Sequence, residues 1–98
     1  MQQEDPPEEK RLHIIVTGRV QGVGFRFFTK DNADMYNVTG WVRNCANGSV
    51  EVEAQAQEEI LNKFCEEVRK GPFMGSVSGL QTQEIEPTSG DSTFQIRF

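Results

Sequence analysis

Apolar residues Leu12, Ile14 and Val16 alternate with His13, Ile15 and Thr17, and a period of two predicts a half-buried strand that stops at Gly18. The glycine-rich stretch from Gly18 to Gly24 predicts a loop. From Phe25 the spacing turns helical through Phe28 and Met35, with Asn37 placed as a left-handed stop. Val38 to Asn44, around Trp41 and Val42, predicts a second strand. Asn47-Gly48 is a hairpin signal, and Val50, Val52 and Ala54 then share one face of a strand over Ser49 to Gln55. Ile60, Leu61, Phe64, Cys65 and Val68 form the apolar stripe of a helix that Gly71-Pro72 ends. Beyond it lie an extended stretch from Ser76 to Glu86, a turn over Pro87 to Ser92, and a last strand with Phe94, Ile96 and Phe98 expected to face inward.

The order β-α-β-β-α-β plus one C-terminal strand predicts an α+β fold, the ferredoxin-like split βαβ sandwich, with both helices on one face of a mixed, mainly antiparallel sheet. Right-handed crossovers make the first two strands parallel, with the third antiparallel between them. The Gly18 to Gly24 loop and Asn44 must therefore emerge at the same edge of the sheet. If the last strand turns back, Phe98 ends there too, and its carboxylate is expected to pair with Arg26.

Ninety-eight residues allow a single domain, expected over residues 10–98 behind an acidic, proline-containing tail at residues 1–9. Two cysteines are too few for a disulfide framework, and no apolar leader stands near Met1, so a cytoplasmic protein is expected. The net charge of −5 argues against binding nucleic acid through bulk electrostatics. The charge is uneven, though: residues 1–9 carry −4, residues 10–50 carry +4, and residues 51–98 carry −5. The positive block contains the glycine-rich loop.

Gly18-Arg19-Val20-Gln21-Gly22-Val23-Gly24-Phe25-Arg26 bends tightly and leads into a helix. Free amides of the first helical turn and the positive end of the helix dipole favour an anion there. Arg26 leans toward the helix start and can fork onto the same anion, which suits a phosphate better than a lysine would. A strand-to-helix turn with a solvated arginine is the plainer alternative. Phe27 stands where a dinucleotide fingerprint needs glycine, and no Gly-Lys-Ser/Thr makes a P-loop. Asn44, in Asn44-Cys45-Ala46-Asn47-Gly48, reads on its own as a turn residue.

Taken together, Gly18 to Arg26, then Gly40-Trp41-Val42-Arg43-Asn44, then Asn47-Gly48-Ser49-Val50-Glu51-Val52, resemble both signature segments of the acylphosphatases. The resemblance extends from about Leu12 to Phe98. It implies a small cytosolic, monomeric hydrolase that cleaves the carboxyl-phosphate bond of acylphosphates, releasing inorganic phosphate without metal or cofactor. It further implies that Arg26 binds the phosphoryl group, that Asn44 positions water, and that the amides of Gly18, Arg19, Val20, Gln21, Gly22 and Val23 form the cradle. Many members carry a hydroxyl residue where this chain has Cys45.

The remaining residues have plainer readings. His13 has no recognisable acid partner and reads as a partly exposed strand residue. Trp41, Phe25 and Phe28 read as core, Cys65 as a core helix position, and Arg19 and Arg43 as solvated cations that enrich the field near the loop. No spacing suggests a metal or a membrane segment. An RNA-binding module of the same strand order is the rival class, but the third strand, Ser49-Val50-Glu51-Val52-Glu53-Ala54, carries acids where stacking rings are needed. A non-catalytic small-anion binder, or a module of a carbamoyl-transferring maturation enzyme, is a further alternative; a chain ending at Phe98 disfavours the module.

Overall fold

Ile14 and Val16 are fully buried while His13 and Ile15 lie half-buried on the opposite face of the first strand, β1 (Glu9–Arg19), as its alternation requires. The structure, a computed structural model, describes residues 8–98. After β1 come α1 (Phe25–Tyr36), β2 (Thr39–Asn44), β3 (Val50–Gln57), α2 (Glu58–Lys70), β4 (Ser76–Ile85) and β5 (Phe94–Arg97). The sheet order is β4-β1-β3-β2-β5, and the two helices pack against each other and the sheet. β3 pairs antiparallel with both β1 and β2, β4 pairs antiparallel with β1, and β5 lies parallel to β2. This is the expected ferredoxin-like topology. It brings the ends of β1, β2 and β5 to one edge of the sheet, beside the start of α1. No helix among the described residues is long and apolar enough to cross a membrane.

Four local expectations are corrected. Glu9, assigned to the tail, opens β1 opposite Gln57, and β3 runs on to Gln57 to meet it; residues 1–7 of that segment lie outside the described residues. In α1 the buried stripe is Phe25, Thr29, Asn32 and Ala33, while Met35 is exposed. Thr29 and Asn32 tolerate burial because the Thr29 hydroxyl donates to the Phe25 carbonyl and the Asn32 amide to the Phe28 carbonyl, each at 2.9 Å. Phe98, expected inward, is 92% exposed, because β5 ends at Arg97 and leaves its ring beyond the core. Trp41 is buried, but opposite Glu53 on the face away from the helices, where the Arg97 guanidinium lies 4.5 Å from its ring.

The helix-side core is aliphatic strand residues capped by rings. Phe64 and Phe94 meet with centroids 6.1 Å apart at a tilted 58°, and Val42, Val50 and Val52 are fully buried beneath them. The opposite face is a polar lattice. Buried Arg11 donates to Glu53 and Asp91, each at 2.8 Å, and to Gln55 at 3.2 Å, fixing the β4–β5 connection. His13 does have an acid partner: its Nε2 lies 2.6 Å from Glu51 Oε2, and the other Glu51 oxygen accepts from Arg43. The hydrogen bond with His13, then that with Arg43, holds the Glu51 carboxyl below the usual carboxylate range, against the opposing effect of burial. A folded-state value below the unfolded one gives stability that is full above the ordinary carboxylate value of about 4 and lost as pH falls through the depressed one. Glu51→Gln is therefore expected to flatten the acid-side loss of stability, read by denaturant unfolding at stepped pH; an unchanged slope counts against this coupling.

Candidate active site

The loop is built by a break in β1. The register shifts at Thr17/Gly18, and Gly18 adopts φ +121°, where an added Cβ would lie 2.2 Å from the Ser76 carbonyl oxygen. Gly18 thus serves the close approach of β4. Gly18 and Arg19, expected in the loop, instead lie within β1 opposite Val77 and Ser76, so the loop proper spans residues 20–24. Buried Val20 anchors it. Gly24 is the N-cap of α1 at φ +78°, left-handed and with open space around it.

These turns leave main-chain donors free. Among the described residues no backbone acceptor takes the N–H groups of Gln21, Gly22, Val23 or Gly24; Phe28 makes the first helical bond, to the Gly24 carbonyl at 3.0 Å. The two helices differ in charge at this end. Glu58 and Glu59 compensate the first turn of α2, whereas α1 has no acid in its first turn and no side-chain cap. Its positive end is left for an anion.

Arg26 stands in that first turn, half-buried and held in place. Its Nη1 donates to the Arg97 carbonyl at 3.1 Å, and its guanidinium lies 4.5 Å from the centroid of the Phe98 ring. The C-terminus does reach Arg26, but through this carbonyl and ring; no ion pair joins Arg26 to the terminal carboxylate among the described residues. Asn44 ends β2 opposite Val50. Its Oδ1 is buried and has no hydrogen-bond partner, a costly state for a carboxamide unless it faces a polar ligand. Arg26 and Asn44 line one cavity of about 130 Å³ together with Val20, Gly22, Gly24, Phe25 and Phe27.

Gln21 has a role that one-dimensional reading missed. Its Nε2 donates to the carbonyls of Cys45 and Ser49 at 2.7 and 2.8 Å, so its side chain ties the loop to the turn after Asn44 rather than facing an anion. That turn is itself braced: the Cys45 N–H donates to the Ser49 carbonyl at 2.9 Å, and Asn47 Oδ1 accepts from the Ser49 N–H and hydroxyl at 3.0 and 2.6 Å. The register between Arg26 and Asn44 thus hangs on Gln21. Gln21→Leu is expected to lower kcat/KM for an acylphosphate about tenfold, the equivalent of roughly 1.4 kcal/mol, with the fold intact by circular dichroism. Unchanged kinetics would remove the tie from the site's function. Both cysteines are free, and burial pushes the Cys65 thiol up, away from reactivity.

The acylphosphatase family model matches residues 12–96. An acylphosphatase of Bacillus velezensis is 45% identical over 88 residues, covering 90% of this chain and 98% of that one. The crystal structure of acylphosphatase from Bacillus subtilis superposes with a TM-score of 0.87 at 38% identity, covering 91% of this chain and 99% of that one. The same fold occurs inside a longer protein: full-length HypF in its phosphate- and nucleotide-bound form matches with a TM-score of 0.84 at 26% identity, over 98% of this chain but 13% of that one. Through both signature segments, the strand order that unites them and this span of similarity, the chain belongs to the acylphosphatase family.

Proposed function

We propose that the cavity between Arg26 and Asn44 hydrolyses small acylphosphates to a carboxylate and inorganic phosphate, by in-line attack of water and without a metal. Arg26 and the loop N–H groups of Gln21, Gly22 and Val23 hold the phosphoryl oxygens. Asn44 accepts a hydrogen bond from the attacking water through Oδ1 and sets its direction. The observation that carries this reading is that Arg26 from α1 and Asn44 from β2, whose buried Oδ1 has no hydrogen-bond partner, line one cavity beside main-chain donors with no backbone acceptor.

The chemistry asks for little more. The leaving group is a carboxylate whose acid has a pKa of about 4, so it departs without protonation. Phosphoryl transfer passes through a loose transition state, and placement plus charge stabilisation supply most of the catalysis. As the water oxygen bonds to phosphorus, the bond to the bridging oxygen breaks and its electron pair leaves with the carboxylate. Both water protons end on orthophosphate, released as the monoanion. A carboxamide is no general base at neutral pH, so the protons reach the phosphoryl oxygens directly or through solvent.

The face on which an RNA-binding domain of this topology stacks bases here carries Glu51 and Glu53, each engaged with cations, which leaves the hydrolytic reading ahead. The proposal includes a cytoplasmic monomer of one catalytic domain. Benzoyl phosphate hydrolysis by the purified protein in the presence of a chelator is the test. Turnover above the uncatalysed rate is expected, and none would overturn the reading.

A further inference from the structure

The loop over residues 20–24 separates two hollows that share Gly22. On the β2 side is the cavity of about 130 Å³ containing Arg26 and Asn44. On the other side is a wider groove of about 510 Å³, lined by Arg19, Gln21, Gly22, Val23 and Met74. Strand order fixes this arrangement: Met74 precedes β4, β4 flanks β1 on one side, and β3 and then β2, with Asn44, lie on the other.

The sidedness constrains the reaction. At about 30 Å³ per water, the smaller cavity has room for a phosphoryl group and an attacking water but little acyl chain. In-line displacement puts the entering and leaving oxygens on opposite sides of phosphorus. With water held on the Asn44 side, the carboxylate leaves over Gly22 into the groove. Arg19 waits there as an exposed cation that, among the described residues, forms no ion pair. Met74, 62% exposed, offers an adaptable apolar surface beside it.

We infer that Arg19 acts on the leaving group: its guanidinium faces the charge that grows on the departing carboxylate oxygen, while Met74 contacts the acyl carbon skeleton, which selects acylphosphates with an apolar or aromatic acyl group. This rests on the phosphoryl site proposed above. It gives the Arg19 side chain, read from the sequence as a solvated cation, a task of its own in the same step. The electron pair released from the phosphorus–oxygen bond ends on that carboxylate, and no co-reactant is needed.

The test is a series of ring-substituted benzoyl phosphates of graded leaving-group acidity, with acetyl phosphate alongside. Arg19→Met is expected to lower kcat/KM about five- to tenfold. The loss should grow as the leaving group becomes more basic, while the inhibition constant of inorganic phosphate stays at the wild-type value. Met74→Ala is expected to reduce the preference for benzoyl over acetyl phosphate. If Arg19→Met leaves the dependence on leaving-group acidity at the wild-type slope, or weakens phosphate in step with kcat/KM, the inference is overturned. Arg26→Ala, run in parallel, separates the two levels: undiminished phosphate binding in that variant would remove the underlying site, whereas lost phosphate binding with an unaltered Arg19→Met slope removes this inference alone.

Discussion

Arg26→Ala is expected to cut kcat/KM for benzoyl phosphate by about 30- to 900-fold, roughly 2 to 4 kcal/mol of transition-state stabilisation, and to raise the inhibition constant of inorganic phosphate. Both quantities move because the guanidinium meets phosphoryl oxygens in the ground state and more strongly as charge redistributes over them. Its orientation is prepared before substrate arrives. The Arg97 carbonyl takes one N–H at 3.1 Å and the Phe98 ring covers the guanidinium at 4.5 Å, so less rotamer freedom is lost on binding than for a free arginine. Arg26→Lys is expected to recover only part of the loss, since a point charge cannot hold two oxygens in a fixed fork. Wild-type phosphate affinity in the alanine variant would show that Arg26 is a solvated helix residue, and the phosphoryl site proposed around it would fall.

How far the site could be read in advance depended on which contacts are local. The loop amides and the uncompensated start of α1 are local consequences of glycine placement and missing acids, so residues 18–26 offer an anion site as one of two readings, the other being a strand-to-helix turn with a solvated arginine. Asn44 was different. Alone it was a turn residue, and only the strand order, which returns β2 to the edge where β1 ends, brings it to Arg26.

Most of what the sequence alone does not show depends on a partner remote along the chain. Nothing near Gln21 in the sequence shows that the carbonyls of Cys45 and Ser49 claim its side chain. His13 looked unpartnered until the β1–β3 register set Glu51 beside it. Trp41 reads as core and is buried, yet strand alternation puts it on the far face opposite Glu53, where the Arg97 guanidinium lies over its ring. The α1 stripe was misjudged for the opposite reason: Thr29 and Asn32 satisfy themselves on carbonyls one turn back, so polar residues occupy core positions without a distant partner.

Asn44→Ala is expected to lower kcat about 100-fold, roughly 2.7 kcal/mol, while the inhibition constant of inorganic phosphate stays within about twofold of wild type. The split follows from what each atom faces. Oδ1 is a buried acceptor without a partner, and the dianionic phosphoryl group of an acylphosphate has no O–H to donate to it, so its natural ligand is the attacking water. Losing it leaves the phosphoryl grip of Arg26 and the loop amides intact but lets the water wander from the in-line direction. Asn44→Asp keeps the shape and an acceptor but adds a negative charge inside the cavity. That variant is expected to weaken phosphate as well, increasingly as pH rises through its own titration, whereas the alanine variant has no group there to titrate. Equal damage to kcat and phosphate affinity in Asn44→Ala would mean the carboxamide binds the phosphoryl group directly, and the assignment of water to the β2 side, with the leaving group opposite, would fall with it.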